Sequence, residues 1–465
     1  MLVKIIPMKT LIIALNSKYI HSALAPWYLK AACGDECGEV LVSEHTINEN
    51  IDSVLSDIYL KKPDVAAFSC YIWNIGHVLK LAGSLKKLIP GIVTILGGPE
   101  VSYDAAGMLK KYDFIDYVVM GEGEKAFPLL LKHLNPLLTK GSRDFAAGQA
   151  LIKPEQAIDG IAWREGNDII AGLPSIIESL DSIPSPYSET MLKTLKNKIA
   201  YFETSRGCQF NCSYCLSSAV EGVRYFSLDR VFFDLEKLVS SGVKQIKFVD
   251  RTFNFNRKRA MQIIEHIIEK YFNSGCNFHF EVGADLFDEE LINLLGRAPK
   301  GLIQFEAGVQ STNRDSLAEV CRNTNIERLI KNLKIFREMG NIHIHADLIA
   351  GLPREDFNSF RKSFNDLYNA RPHQLQLGFL KFLKGTMLRE NAGRYGYEYN
   401  SFAPYEILSG KWISYDELII LKGIAEIIER YYNSGRFAVS IEYLIREYFQ
   451  TPFDFYEGFY LFHKK

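Results

Sequence analysis

The chain is predicted to be an α/β protein made of two successive runs of βα units and a helical tail. Three observations carry that reading. Short apolar segments alternate with amphipathic helical patterns through residues 10–134 and again through 199–382. Buried strands separated by helices are the mark of parallel sheets. A stretch richer in Gly, Pro and Ser, 135–197, parts the two runs, and beyond residue 394 strand signals give way to helices rich in aromatics. The expected division is 1–140, 141–195, 196–393 and 394–465.

In the first run, residues 10–15 read as a strand, about 23–33 as a helix, 40–44 as a strand and 51–60 as a helix. Strand 64–69 leads to helix 75–88, which Pro90-Gly91 ends. Strand 92–96 runs into Gly97-Gly98-Pro99-Glu100, and 117–120 into Gly121-Glu-Gly123-Glu before a last helix. The result is a five-stranded, doubly wound sheet of flavodoxin-like or Rossmann-like kind. A dinucleotide site is poorly supported, because no G-x-G-x-x-G follows the first strand. In the linker, two apolar runs flank Glu165-Gly166-Asn167 as in a β-hairpin, and 180–187, with Pro184 and Pro186, reads as an extended connector.

The second run places strands at 199–204, 245–250, 277–283, 302–307, 342–349 and 374–382. Helices fall at 227–241, with Ser227 as N-cap, and at 258–272, 288–295, 326–339 and 354–368. Tail helices are expected at 414–433 and 440–449, and the aromatic run from Phe453 to Phe462 reads as packing surface. The chain stops soon after it, which reads as a shortened terminal domain.

Composition excludes several classes. Lys plus Arg total 54 against 55 Asp plus Glu, so no basic footprint for nucleic acid or an anionic membrane exists. Apolar runs fall short of the about 20 residues that span a bilayer, and the first residues lack a signal-peptide layout. Eight cysteines without paired spacing point to reduced thiols in the cytoplasm. Cys33 and Cys37 read as buried or surface thiols, and the isolated Cys70, Cys276 and Cys321 as core or near-site residues.

The other three are different. Cys208, Cys212 and Cys215 form C-x₃-C-x₂-C directly after strand 199–204. Three thiolates on one tight loop can hold three irons of a [4Fe–4S] cluster, which four ligands normally complete. The fourth iron then keeps an open position. A structural zinc site also uses thiolates but takes four closed ligands, and His21, His45 and His77 lie far off in sequence.

These residues resemble the radical S-adenosylmethionine (radical SAM) superfamily, and six βα units fit its incomplete (β/α)₆ barrel. The resemblance implies that the free iron binds the amino and carboxylate groups of S-adenosylmethionine. An electron from an external flavodoxin- or ferredoxin-type donor then cleaves it to methionine and a 5′-deoxyadenosyl radical. Tyr214 takes the place of an aromatic near the adenine, and Phe202, on the preceding strand, joins the cofactor-side residues. Ligand groups gather at the carboxyl ends of parallel strands, where Asp250, Glu281, Glu306, Gln310 and Asp347 stand. Those segments look like those of the oxygen-independent coproporphyrinogen oxidases. The likeness puts Glu281, Gln310, Arg322 and Asp347 on the ribose and methionyl parts of S-adenosylmethionine, with Asp250 beside them. Carboxylates suit ribose hydroxyls and a guanidinium suits a carboxylate. Acids on buried strands are costly without partners, which singles out Glu281 and Asp347; Arg322 alone would more often be a surface arginine. Glu306 fits an interior hydrogen bonder or a substrate contact.

Ser69-Cys-Tyr, Gly97-Gly98-Pro and Gly121-Glu-Gly123-Glu, at strand ends ahead of such a barrel, resemble the cobalamin-binding domain of cobalamin-dependent radical SAM proteins. Ser69, Gly97, Gly98, Gly121 and Gly123 would then flank cobalamin, since glycine lets backbone approach a large ligand. One departure is clear. The family's Asp-x-His-x-x-Gly is absent after the first strand, where Asn16-Ser-Lys-Tyr-Ile-His21 stands; cobalamin would bind with its base displaced, and His21 is a minor candidate ligand. A degenerate domain that binds nothing is the alternative. The resemblance implies methylation of an unactivated carbon of an unknown substrate. Rearrangement, oxidation or thiolation without methyl transfer, and a non-catalytic cobalamin- or redox-binding protein, are the other readings.

Overall fold

A computed structural model describes residues 7–139, 158–220 and 222–464; residues 141–157 of the expected linker lie outside the described residues. Chain contacts divide the molecule into two compact units, Met1–Tyr201 with Asp229–Val243, and Phe202–Leu228 with Lys244–Lys465.

The first unit alternates β1 (Lys9–Asn16), α1 (Leu24–Ala32), β2 (Glu39–Thr46), α2 (Ile51–Leu60), β3 (Val65–Ser69), α3 (Ile75–Leu88) and β4 (Val93–Gly97). Two short helices, α4 (Pro99–Ser102) and α5 (Ala105–Lys111), precede β5 (Tyr117–Val119) and α6 (Gly123–Thr139). These five strands pair in parallel in the order β2-β1-β3-β4-β5. The expected five-stranded sheet nevertheless has seven strands. The hairpin of β6 (Ile161–Glu165) and β7 (Asp168–Ala171) adds antiparallel to β5, with Val118 opposite Ala162. A lone hairpin is marginal in water, and docking on β5 buries Ile161, Ala162 and Trp163 almost completely. Trp163 thereby joins the core that Ile12, Val65, Ile95 and Tyr117 form against Phe127 and Leu131 of α6. The expected connector instead holds a 3₁₀ turn at Leu180–Ser182, followed by α7 (Glu189–Thr194).

The second run comprises β8 (Ala200–Phe202), β9 (Ser205–Gly207), β10 (Val223–Tyr225), α8 (Leu228–Ser240), β11 (Gln245–Phe248), α9 (Arg257–Tyr271), β12 (Asn277–Val282) and α10 (Glu289–Gly296). It continues through β13 (Ile303–Gln310), α11 (Arg314–Glu319), α12 (Ile326–Met339), β14 (His343–Ala350), α13 (Phe357–Tyr368) and β15 (Gln374–Phe379). Nearly all of α8 belongs to the first unit. Six strands lie side by side in chain order, β8-β11-β12-β13-β14-β15, parallel from β11 to β15 and open at β8 and β15. This is the expected partial barrel. Helix starts fall where a side chain caps them: Asn50, Asp288, Asn325 and Asp356 each accept from first-turn amides. Ile303, Phe305, Ala307 and Val309 of β13 are buried, while Gln304, Glu306 and Gly308 between them are less so. The same alternation puts His343, His345 and Asp347 of β14 on the less buried side. One face of the sheet is therefore apolar and the other polar, whereas structural parallel strands are usually apolar on both.

The tail adds α14 (Met387–Glu390), a small ladder of β16 (Glu398–Tyr399) and β17 (Ile407–Ser409), then α15 (Tyr415–Ile427), α16 (Ala438–Tyr448) and α17 (Pro452–His463). Phe453 and Tyr456 of α17 pack edge-on against Phe364 of α13, at 5.4 and 5.8 Å. Among the described residues no helix is long and apolar enough to cross a membrane.

Candidate functional site

A cavity of about 190 Å³, partly open to solvent, lies at the carboxyl ends of β12–β14, and Cys208, Cys212 and Cys215 all line it. The cysteine loop is pinned by its backbone. Ser213 N–H donates to the Val320 carbonyl at 3.0 Å, its own carbonyl accepts from Leu388 N–H at 2.9 Å, and Cys215 N–H donates to the Cys212 carbonyl at 3.0 Å. The Ser217 amide reaches the Cys215 sulfur at 3.5 Å, and Arg322 Nη1 stands 3.9 Å from that of Cys212. Burial pushes the Cys212 thiol up, partly offset by Arg322. Among the described residues no three His, Cys, Asp or Glu side chains are grouped to hold a metal ion; the thiols share their cavity with a set of polar side chains instead.

Glu281, Gln310, Arg322 and Asp347 line that same cavity, as does Tyr214. Their placement follows from a β-bulge: Gly308 pairs with Asp347, but Gln310, not Val309, pairs with Leu348. Gln310 has φ +69°, a left-handed conformation that costs an L-residue about 1–2 kcal/mol. It turns the side chain so that Nε2 donates to Asp347 Oδ2 at 3.2 Å. A Cβ at Gly308 would stand 2.4 Å from that Nε2, so a larger residue there would push the Gln310 amide out of this position. Arg322 donates to the Gly308 carbonyl. Gln310 Oε1, Arg322 Nε, Thr324 Oγ1 and Asp347 Oδ1 are buried without partners. Each such atom costs about 1–3 kcal/mol, so four of them around one cavity fit a polar ligand with several donors and acceptors. Donor, acceptor and charge types all match S-adenosylmethionine.

Charge is arranged unevenly. Burial, reinforced by Glu306 and opposed by Arg322, pushes the Asp347 carboxyl up to about 7. Burial also raises Glu281, against Arg251 and Lys247. Burial would raise Glu306 too, but His279 and Lys247 hold it well below the usual carboxylate range; Lys247 Nζ lies 2.7 Å from its Oε2.

Two expected cofactor-side residues are placed elsewhere, and neither is among the cavity's lining residues. Phe202 is 1 % exposed and packs edge-on against Phe248 at 5.1 Å; its position in β8 turns it into the core. Asp250 is also 1 % exposed. It accepts from Thr204 N–H at 3.0 Å, Thr204 O–H at 2.6 Å and Ser205 O–H at 2.5 Å, and so fixes the chain that enters the cysteine loop. Arg251, Thr252 and Thr324 line the cavity without having been singled out. Arg251 and Thr252 follow a strand end, and that position was the available signal.

In the first unit, Ser69 and Gly97 end β3 and β4, and Gly121 follows β5. The glycines answer to the protein's own chain. A Cβ on Gly98 (φ +112°) would meet the Cys70 carbonyl at 2.6 Å, and one on Gly121 (φ +76°) the Ser175 carbonyl at 2.3 Å. At Gly123 it would lie 2.9 Å from Leu29, and at Gly97 3.3 Å from Val119. Ser69 O–H donates to the Ile13 carbonyl at 3.4 Å. His21 Nδ1 is engaged by the Tyr201 hydroxyl at 2.7 Å. Tyr71 and Trp73, just beyond β3, stack at 4.5 Å, and Trp73 is 43 % exposed. An exposed aromatic face at the carboxyl edge fits a broad, largely apolar ring system such as a corrin.

Three family models match the chain: "B12 binding domain" at residues 10–131, "Radical SAM superfamily" at 202–367 and "Protein of unknown function (DUF4080)" at 393–465. The cobalamin-dependent radical SAM methyltransferase TokK of Streptomyces tokunonensis is 27% identical over 336 residues, 67% of this chain and 46% of that protein. The anaerobic magnesium-protoporphyrin IX monomethyl ester cyclase of Rubrivivax gelatinosus is 26% identical over 349 residues, 72% of this chain and 59% of that one. The chain thus spans about half the length of these curated relatives. The structure of the radical S-adenosylmethionine methyltransferase TsrM from Kitasatospora setae, with cobalamin and a [4Fe–4S] cluster bound, aligns with a TM-score of 0.64 at 18% identity. That alignment covers 85% of this chain and 78% of that one.

Proposed function

We propose, for a chain that is a radical SAM protein with an N-terminal B12-binding domain, that it methylates an unactivated carbon of its substrate. The convergence of three thiols and four unpartnered polar atoms on one cavity carries the S-adenosylmethionine site, and similarity to the methyltransferase TokK favours methyl transfer there. When bound, a [4Fe–4S] cluster with S-adenosylmethionine supplies hydrogen-atom abstraction, and cobalamin supplies a methyl group. Cys208, Cys212 and Cys215 hold three irons. Asp347, Glu281 and Gln310 take the ribose hydroxyls, Arg322 the methionine carboxylate, and Tyr214 borders the adenine. Ser69, Gly97, Gly98, Gly121 and Gly123 shape the edge that faces cobalamin. A flavodoxin- or ferredoxin-type donor and a cytoplasmic, reducing setting complete the proposal, supported by eight cysteines without paired, small-domain spacing in the sequence. Likeness to a monomethyl ester cyclase favours a second reading, a radical oxidation or ring closure without methyl transfer.

Anaerobic reconstitution tests both. The expected result is about four irons per chain, a bound corrinoid, 5′-deoxyadenosine on reduction, and label from methyl-labelled S-adenosylmethionine in the product. A cluster without corrinoid removes methyl transfer and leaves the second reading. Zinc, or no metal, at the cysteine loop removes both.

A further inference from the structure

We propose that Glu355 is a positioning residue: through Ser311 and Ser363 it locks the bulged end of β13, and so sets where Gln310 and Arg322 meet S-adenosylmethionine. The inference rests on the proposed role of the cavity. Glu355 itself does not line the cavity.

Glu355 stands in the turn after β14 and is 0 % exposed. Its Oε1 accepts from Ser311 O–H at 2.5 Å and from Ser363 O–H at 2.8 Å, while Oε2 is buried with no partner. Burial, countered by those two hydroxyls, lifts the carboxyl to about 7, in keeping with a proton on the unpartnered oxygen. Both serines also accept from backbone amides. Ser311 Oγ accepts from Asn313 N–H at 2.9 Å, and Ser363 Oγ from Thr312 N–H at 3.1 Å. Residues 311–313, directly after left-handed Gln310, are thereby tied to the turn that follows β14.

The tie extends further. Asn313 caps α11, accepting from Asp315 N–H at 3.0 Å, and its Nδ2 donates to the Arg354 carbonyl at 3.0 Å. Beyond α11, the Val320 carbonyl receives Ser213 of the cysteine loop at 3.0 Å, and Arg322 N–H donates to the Leu317 carbonyl at 2.8 Å. One buried carboxyl thus joins the loops after β13 and β14, on which Gln310 and Arg322 depend. Without that anchor the strained backbone of Gln310 relaxes toward the extended region, and Nε2 leaves Asp347.

The test uses the full chain with Glu355→Ala, Glu355→Gln and Ser311→Ala. Three quantities are read: iron per chain after reconstitution, the dissociation constant for S-adenosylmethionine, and amide hydrogen exchange across 308–322 in cluster-free protein. Glu355→Ala and Ser311→Ala should each weaken binding about tenfold or more, with iron unchanged and exchange faster at 310–313. Glu355→Gln keeps the accepting oxygen and should rescue binding to within about threefold of wild type. Binding and exchange like wild type in Ser311→Ala, or a Glu355→Gln as damaged as the alanine variant, would overturn the proposal; Ser311→Ala decides if Glu355→Ala does not fold. Wild-type protein that loads iron but ignores S-adenosylmethionine would sink the functional reading instead, and exchange in cluster-free protein still decides the tie.

Discussion

Replacing Asp347 with asparagine removes an ionisation that burial has moved to about 7. The carboxylate accepts through both oxygens, whereas the acid gives up one acceptor to its proton. S-adenosylmethionine is therefore expected to bind the ionised form, and its apparent affinity should follow the ionised fraction. For a pKa of about 7 that fraction is about one-tenth at pH 6 and about nine-tenths at pH 8. The wild-type dissociation constant should accordingly fall about tenfold across that interval. Calorimetry on reconstituted, oxygen-free protein measures it, and the ratio of wild type to Asp347→Asn is the quantity to read. In that ratio the ligand's own amino group cancels, and so does Glu355, also at about 7. For the cofactor-free fold the sign is reversed. Because the native pKa lies above the unfolded one, Asp347 contributes stability below about pH 4 that disappears as pH climbs through about 7. The most it can amount to is about 4 kcal/mol, and asparagine should abolish that dependence. Parallel pH profiles of affinity in the two proteins would refute Asp347 as the titrating contact.

Gly98→Ala places a methyl 2.6 Å from the Cys70 carbonyl at φ +112°, and should cost the cofactor-free protein about 2 kcal/mol or more in denaturant unfolding. A neutral effect there, with loss of corrinoid binding alone, would return the glycine to ligand approach. Arg322→Lys loses the fork that reaches both Gly308 and Cys212. The dissociation constant for S-adenosylmethionine should rise about 10–100-fold with iron content unchanged; affinity within about threefold of wild type would contradict the assignment.

Long periodic elements with capping signals were readable from the residues. Helices 51–60, 75–88 and 326–339 fall at their expected bounds; Pro90-Gly91 marked the end of the second, and in the structure Asn50 and Asn325 cap the other two. Short elements were not readable: α4, α5 and α11 are too brief to show a helical period, and β9 and β10 have three residues each. The hairpin was visible, but its docking on β5 was not, since pairing across so many residues leaves no local trace. At the site, the spacing of the cysteines marked one loop and the resemblance to the coproporphyrinogen oxidases marked Gln310, Arg322 and Asp347; all of them line one cavity. The strand-end rule could not say which residues face inward. Asp250 sits at a strand end yet turns to Thr204 and Ser205. Glu355 escaped notice because the expected helix 354–368 took it in, whereas the helix starts at Phe357, and the two serines that make its carboxyl matter are distant in sequence.

The match to the B12-binding domain stops at residue 131, before the hairpin of β6 and β7 begins. A piece of the chain trimmed to that match would leave β5 with an outer row of bare amides and carbonyls, a template onto which another molecule can add a strand. In the whole protein that row is taken up by β6, and the new margin is β7, four residues long with exposed Asp168 and Ala171 at its ends. The segment that joins the two runs of βα units thereby also covers a sheet edge that would otherwise stay open to strand addition.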